Sequence, residues 1–199
     1  MAFTFFFRDQ PTLDLMAEHV LPDLKQRRYI RIWDAGCAMG PEPFTLAMIL
    51  RENMGKFLFR NVRITASDID EGDFGRVIAE AVYPLEQLRR IPPEIFARYF
   101  EPNGPPDHFR LSDDIRGAVQ FHRHDLLSLQ PIRTDFGLIV CKNVLLHFTP
   151  GQRVQVIRMF HAALIDGGYF VTEQTQKLPP ECTPLFRQMV GTAQIYQKI

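Results

Sequence analysis

The stretch from Tyr29 to Ala47 limits the possible folds of this chain more than any other. It starts as an apolar strand pattern, turns through Gly36 and Gly40, and continues as a helix pattern. A strand, a glycine turn and a helix N-terminus place backbone N–H groups around a polar ligand. The spacing Asp34-x-Gly36-x-x-x-Gly40 is neither the dinucleotide fingerprint nor a phosphate loop ending in Gly-Lys-Ser/Thr. The segment therefore predicts a ligand site of another type, with a purely structural glycine turn as the alternative.

Composition narrows the class of protein. The 199 residues predict one domain with a substantial core. Lys plus Arg and Asp plus Glu both number 23, so no global field favours nucleic acid or a membrane surface. The three cysteines have no metal or disulfide spacing, which indicates a reducing compartment and no zinc site. Without a signal peptide or an apolar run of membrane-spanning length, we expect a cytoplasmic protein.

Strand and helix patterns alternate along most of the chain. Strands are predicted at 29–35, 62–67, 136–141 and 169–172, with a last edge strand at 192–197. Helices are predicted at 42–54, 72–81 and 150–164. Between 83 and 125 the pattern is interrupted, and short strands at 109–111 and 118–121 indicate a small antiparallel element. The alternation predicts an α/β fold with a mostly parallel sheet and helices on both faces.

Polar residues close four of the predicted strands. They are Asp34 with Gly36, Asp68, Asp125 and Asn143. Ligands of such sheets bind at the carboxyl ends of the strands. Asp68 suits a pair of ribose hydroxyls, and Asp125 with Leu126 suits an adenine. A single acid at a strand end is usually a solvated cap. Polar residues at the ends of four predicted strands, in register with one another, instead predict a ligand-binding site. His122 and His124 have the spacing of metal ligands on one face of a strand. We prefer to interpret them as residues of a partly exposed strand face, and no metal is expected.

Seven segments in order resemble the catalytic domain of the chemotaxis-receptor methyltransferases (CheR), over nearly the whole chain. The segments are 4–8, 33–44, 66–70, 98–100, 119–127, 141–148 and 195–198. The resemblance implies a single domain over 1–199, with the Rossmann-like fold of methyltransferases that use S-adenosylmethionine (SAM) and a small inserted β subdomain at about 98–121. Family members usually carry a helical domain before the first segment, and this sequence starts at that segment.

The reaction implied by the resemblance is methyl transfer from SAM to a glutamate carboxylate of a receptor, with S-adenosylhomocysteine (SAH) as the other product. A glutamate is ionised near neutral pH, so alignment and exclusion of water should matter more than a strong base. The expected partner is a protein acceptor, such as the cytoplasmic region of a chemoreceptor. Nucleic acid, membrane insertion and metal are not expected.

The resemblance also assigns site residues. Arg8 and His147 take the catalytic positions, Arg8 by offering a guanidinium fork to the acceptor carboxylate. An ion pair of Arg8 with Asp9 or Asp14 is the structural alternative, and simple packing is the alternative for His147. The residues implied for cofactor binding are Thr4, Arg8, Gly36, Gly40, Glu42, Asp68, Asp125, Leu126 and Asn143.

Three positions depart from the family pattern. Pro41 replaces the first of two glutamates, so Glu42 alone is left to meet the SAM ammonium. Lys142 replaces an arginine and His147 replaces a tyrosine. These departures keep two alternatives open. One is a SAM-dependent methyltransferase of another protein or of a small molecule, and the other is a non-catalytic SAM sensor or scaffold.

Overall fold

The structure, a computed structural model, describes residues 4–69 and 72–199. Its helices are α1 (Gln10–His19), α2 (Leu21–Leu24), α3 (Pro41–Phe59), α4 (Phe74–Glu80), α5 (Leu85–Leu88), α6 (Pro93–Tyr99), α7 (Asp113–Arg116) and α8 (Pro150–Ala163). Its strands are β1 (Ile30–Ala35), β2 (Val62–Asp68), β3 (Val82–Pro84), β4 (Phe100–Pro102), β5 (His108–Leu111), β6 (Val119–Arg123), β7 (Phe136–Val140), β8 (Leu164–Val171), β9 (Phe186–Gln188) and β10 (Ile195–Lys198).

Seven strands form one large sheet in the order β6-β2-β1-β7-β8-β10-β9. Neighbouring strands from β6 to β8 run parallel, whereas β10 pairs antiparallel with both β8 and β9. Strands β1 and β7 are buried along nearly their whole length, because a parallel sheet is covered on both faces. The predicted α/β fold with a mostly parallel sheet is confirmed.

A small antiparallel sheet has the order β3-β5-β4. Its strands lie between Val82 and Leu111, so the predicted bounds of 98–121 are wrong for it. The predicted strand 118–121 belongs instead to the large sheet, where β6 pairs in parallel with β2. As an edge strand, β6 is only partly buried and lacks the continuous apolar run of an inner strand. The sequence of β6 therefore looks like that of a strand in a surface hairpin, which explains why it was assigned to the small antiparallel element.

Several element bounds differ from the sequence predictions. Two helices flank Val20 before β1, and α3 continues past its predicted end at residue 54 to Phe59, across a non-helical Gly55 with φ 70°. Strand β8 begins at Leu164, before its predicted start at residue 169, and its pairing with β7 has an irregular register. The predicted edge strand is not at the edge, because β9 pairs on its outer side. The apolar pattern of a strand does not show whether another strand pairs on its outer side, so the sequence could not place β9 beside β10.

An aromatic core lies between the large sheet and α8. Trp33, Phe136, Phe160 and Phe170 are all fully buried there. The Trp33 and Phe160 rings meet edge to face with centroids 5.2 Å apart. The indole Nε1 donates a hydrogen bond of 2.8 Å to Ser67 Oγ on the neighbouring strand. The only polar atom of this large side chain is thereby satisfied inside the core.

The first described residues, Thr4–Arg8, are anchored to the body of the protein. Phe6 is fully buried and meets Tyr83 and Phe100 of the small sheet edge to face, at 5.1 and 5.9 Å. The Phe7 N–H donates to Thr45 Oγ1 in α3 at 3.0 Å. The segment is therefore packed into the core through Phe6. Within the described ranges no helix has both the length and the apolarity needed to cross a membrane.

Candidate cofactor-binding site

A cavity of about 620 Å³ lies at the carboxyl ends of the parallel strands. Its size falls within the range of small-molecule sites, about 300–1,000 Å³. Eight of the nine predicted cofactor-binding residues line it, and so does His147. The lining residues are Thr4, Arg8, Gly36, Ala38, Glu42, Ser67, Asp68, Ile69, His124, Asp125, Leu126, Leu127, Lys142, Asn143, Val144, Leu146, His147 and Phe148.

The turn after β1 brings backbone and carboxylate together. Gly36 has φ 99°, and a Cβ there would lie 2.1 Å from Val144 Cγ2, so only glycine fits. The Gly36 N–H donates to the Ser67 carbonyl at 2.7 Å. Ala38 has φ 48°, a left-handed conformation, and its N–H donates to Asp68 Oδ2 at 2.9 Å. The turn thus fixes the Asp68 carboxylate in the cavity wall.

Gly40 lies outside the cavity, which corrects its predicted role in binding. It begins α3 with φ 101°, and a Cβ would lie 2.8 Å from Tyr83 Oη and 2.9 Å from Ile78 Cγ1. The Tyr83 hydroxyl donates to the Met39 carbonyl at 2.9 Å. Glycine is required at this position because the small sheet packs closely against the turn.

Asp125 lies two residues after the end of β6 and caps the short 3₁₀ helix Leu126–Ser128. Its Oδ1 accepts a hydrogen bond of 2.9 Å from the Leu127 N–H. Leu126 is buried, whereas Leu127 is 39% exposed on the cavity side. The predicted pair of an acid and an apolar neighbour therefore stands together in the wall.

Arg8 is held in the cavity wall by a chain of contacts from β8. Its Nη2 donates to Asn143 Oδ1 at 2.9 Å. Asn143 follows β7 with φ 60°, and its N–H donates to Glu173 Oε2 at 2.9 Å. The Thr172 hydroxyl donates to the same Glu173 oxygen at 2.7 Å. Sequence reasoning missed Glu173, although an acid directly after a buried strand is the same signal that identified Asp68.

A buried lysine joins the wall to α3. The Lys142 side chain is 1% exposed, and its Nζ lies 3.5 Å from Glu42 Oε2. The same Nζ donates to the Arg8 carbonyl at 3.2 Å. Lys142 stands where the family usually has an arginine, so the positive charge is kept. Its ammonium group links Glu42 to the backbone of Arg8.

Several acidic oxygens in this region have no hydrogen-bond partner. They are both oxygens of Asp34, Oε1 of Glu42 and Oε1 of Glu173. Burial raises the pKa of the Asp34 carboxyl well above its usual range, and the negative charge of Glu42 raises it further. Asp34 and Glu173 are buried behind the cavity wall, whereas Glu42 lines the cavity. The free oxygen of Glu42 therefore suits a ligand group that carries positive charge and N–H donors.

His147 and three apolar side chains form the open side of the cavity. His147 ends the 3₁₀ helix Leu145–His147 and is exposed. Ile69, Leu127 and Leu146 are 52%, 39% and 47% exposed, and all three line the cavity. Exposed apolar side chains that cluster around a pocket indicate a contact surface for a ligand or a partner.

The thiols near the site are not activated. Cys37 and Cys141 are buried, and burial raises the pKa of both thiols well above their usual range, with the neighbouring acids adding to the effect. A protonated buried thiol is a poor nucleophile. Neither Cys37 nor Cys141 is therefore suited to act as a nucleophile.

A parallel sheet with an antiparallel C-terminal strand pair, an acid at the end of β2 and an anionic pocket beside the glycine turn define a SAM-dependent methyltransferase. The chain belongs to the family described as CheR methyltransferase, SAM binding domain, whose model matches residues 2–195. The resemblance seen in the sequence is thus confirmed, and SAM is the cofactor of this family. The residues present fit it, because the unpartnered oxygen of Glu42 in the cavity wall suits its ammonium group and the fixed carboxylate of Asp68 suits its ribose hydroxyls.

Curated relatives extend the comparison. Over 196 residues the chain is 30% identical to "Chemotaxis protein methyltransferase 1" of Pseudomonas aeruginosa, covering 91% of this chain and 71% of that protein. It is 33% identical to "Chemotaxis protein methyltransferase 2" of the same organism, covering 84% and 60%. It is 33% identical to "Chemotaxis protein methyltransferase" of Listeria monocytogenes, covering 88% and 65%. The chain therefore spans between 60% and 71% of these relatives.

Proposed function

We propose that this domain transfers the methyl group of SAM to a glutamate side chain of a protein acceptor, and that the acceptor is the cytoplasmic region of a chemoreceptor. The observation that carries the proposal is the guanidinium of Arg8 in the wall of the cofactor cavity, held there by Asn143. A guanidinium is the side chain best suited to bind and orient a carboxylate. The printed names of the relatives support the same acceptor class.

The cavity residues divide naturally over the parts of the cofactor. Asp68 accepts the ribose hydroxyls, since its carboxylate is fixed by the Ala38 N–H. Asp125 and Leu126 hold the adenine. Glu42, with one oxygen on Lys142 and one without a partner, accepts the ammonium group. Bound SAM supplies a methyl group made electrophilic by its sulfonium.

The acceptor needs orientation more than activation. A glutamate carboxylate is already ionised at neutral pH, so no strong base has to remove a proton. Arg8 aligns the carboxylate, and His147 offers a hydrogen bond from the open side of the cavity. The apolar side chains of Ile69, Leu127 and Leu146 contact the acceptor and exclude water, which strengthens the interaction between the charged groups.

A transfer assay tests the acceptor class. Tritiated SAM is incubated with the protein and a purified cytoplasmic fragment of a chemoreceptor from the source organism. We expect label in the fragment that alkali releases as methanol, as a methyl ester requires. A fragment with its candidate glutamates changed to alanine should stay unlabelled. Alkali-stable label, or label confined to small molecules, would show a different acceptor. Binding of SAH without transfer to any acceptor would indicate a sensor or scaffold.

Arg8→Lys tests the proposed role of the guanidinium. Lysine keeps the charge but loses the fork, so kcat should fall by about tenfold while SAH affinity stays within a few-fold of wild type. Arg28→Lys, on an exposed arginine outside the cavity, is the matched control and should change neither value. Equal losses of kcat and SAH affinity in Arg8→Lys would make Arg8 a cofactor ligand only.

A further inference from the structure

A second groove lies at the other end of the large sheet, where β2 and β6 begin. It encloses about 520 Å³. Three arginines line it, Arg31, Arg63 and Arg133, together with Thr65 and Gln120. None of its lining residues belongs to the cofactor cavity, which is at the carboxyl ends of the same strands. The groove is therefore a separate feature of the molecule.

Strand register places two of the arginines side by side. Arg31 on β1 pairs with Arg63 on β2, and Thr65 pairs with Gln120 on β6. Residues two apart on a strand share a face, so Arg63 and Thr65 project to the same side. Like charges on paired residues of neighbouring strands destabilise a sheet unless an opposite charge lies near them.

One carboxylate, that of Asp135, balances the positive charges of the arginines in the groove. Asp135 accepts Arg31 Nη1 at 2.7 Å, and it accepts Arg133 Nε and Nη2 at 2.9 and 3.1 Å. Among the described residues, the hydrogen bonds of Arg63 go from its Nη1 to the carbonyls of Arg60 and Val62, at 2.9 and 2.7 Å. Within residues 4–69 and 72–199, no carboxylate pairs with Arg63. Three guanidinium groups thus share one carboxylate, on a chain whose net charge is zero.

We propose that this groove binds a nucleotide through its phosphate groups. Guanidinium forks match the geometry of phosphate oxygens, and an anion between Arg31 and Arg63 would remove their mutual repulsion. The Thr65 hydroxyl and the Gln120 amide add neutral hydrogen-bonding groups. The volume exceeds that of a bare phosphate and suits a larger phosphate-bearing molecule.

Calorimetry with ADP, inorganic pyrophosphate and adenosine tests the proposal. We expect saturable binding of ADP, weaker binding of pyrophosphate and no binding of adenosine at the same concentrations. Arg63→Gln should weaken ADP binding by about tenfold, since it removes a charged hydrogen-bond donor. Arg133→Gln, in a loop, should act in the same direction and guards against misfolding of a strand variant. Arg60→Gln, which is exposed and outside the groove, is the matched control and should bind ADP like wild type.

Saturation with SAH separates this groove from the cofactor cavity. ADP should bind equally well to the SAH complex, and all three variants should keep wild-type SAH affinity. Full competition between ADP and SAH would place ADP in the cofactor cavity and overturn the proposal. The same holds if ADP shows no saturable binding, or if Arg60→Gln loses as much affinity as Arg63→Gln. Pyrophosphate binding as tight as ADP would overturn the nucleotide assignment.

Discussion

The aromatic core beneath α8 and the turn that leads into the wall of the cofactor cavity both include residues of β1. They differ in whether their buried polar atoms have hydrogen-bond partners. In the core, Trp33 and Phe160 are fully buried and the indole N–H has a partner. One residue later, Asp34 is equally buried and neither carboxylate oxygen has one. Ala38 and Asn143, both in the wall, have left-handed backbones. The core thus satisfies its buried polar atom, whereas the turn beside the cavity keeps a buried carboxyl without a partner and two left-handed backbone positions.

The largest effect is expected from breaking the core. Phe160→Ala removes a fully buried ring from among Trp33 and Phe170 and should lower the free energy of unfolding by about 3–5 kcal/mol. Phe57→Ala, on a ring 78% exposed in α3, is the control and should change stability by less than about 0.5 kcal/mol. Denaturant titration measures both. If the two variants lose similar stability, the aromatic core is not the main support of the sheet.

The next effect concerns the wall and should appear in binding. Asp68→Ala leaves the Ala38 N–H and the ligand hydroxyls without an acceptor, so SAH binding should weaken by about 1–3 kcal/mol. Asp166→Ala removes a fully exposed carboxylate at the far end of β8 and should leave affinity unchanged. Calorimetry decides the matter. Unchanged affinity in Asp68→Ala would remove this residue from the binding site.

The next prediction concerns the effect of Asp34 on how the stability of the protein depends on pH. Its pKa is raised in the folded state, so the folded protein holds this proton more tightly than the unfolded chain does. As pH rises above the usual value of 3.8, wild type loses stability from this group until the raised pKa is passed. Asp34→Asn has nothing to titrate and should be more stable at pH 7 by about 1–2 kcal/mol.

The advantage of Asp34→Asn should shrink as pH falls and vanish well below pH 3.8, where both the folded and the unfolded wild type carry the proton. Denaturant titrations at intervals from pH 7 down to about pH 3 measure the difference. A constant difference over that range would contradict the raised pKa. Thr65→Val, on the same sheet but without a titrating group, shows the pH dependence common to all variants.

The smallest effect tests backbone strain in the wall. Ala38 has φ 48°, a conformation that is unfavourable for a residue with a Cβ, so Ala38→Gly should raise the free energy of unfolding by about 0.5–1 kcal/mol. The same change at Ala97, exposed in α6, should lower it by about 0.5–1 kcal/mol, because glycine weakens a helix. Opposite signs support strain at Ala38. Two losses would show that the turn tolerates alanine without strain.

The sequence predicted most of the fold because inner strands of a parallel sheet are continuous apolar runs. It failed where pairing order or an edge decides the outcome. Strand β6 is half-exposed, and the position of β9 outside β10 depends on contacts between segments that no local pattern records. The bounds of the small sheet were wrong for the same reason, since Val82–Pro84 is too short to show a period.

The candidate site was predictable to a similar degree. Parallel strands end at one edge, so Asp68, Asp125 and Asn143 were expected together, and all three line the cavity. Glu173 was missed because its contact with Asn143 depends on β8 lying beside β7. The packing role of Gly40 was also hidden, because Tyr83 lies 43 positions away in sequence and in another sheet.

The hydrogen bond from Trp33 to Ser67 has a practical consequence. The chain has one tryptophan, and its indole donates to a residue that lines the cofactor cavity. The emission of that indole therefore originates from a single place, inside the core and one side chain away from the ligand. A fluorescence titration with SAH on the unlabelled protein should follow occupancy of the cavity, and the same emission should shift to the red when the core is exposed to water. One native fluorophore thus reports on both binding and unfolding.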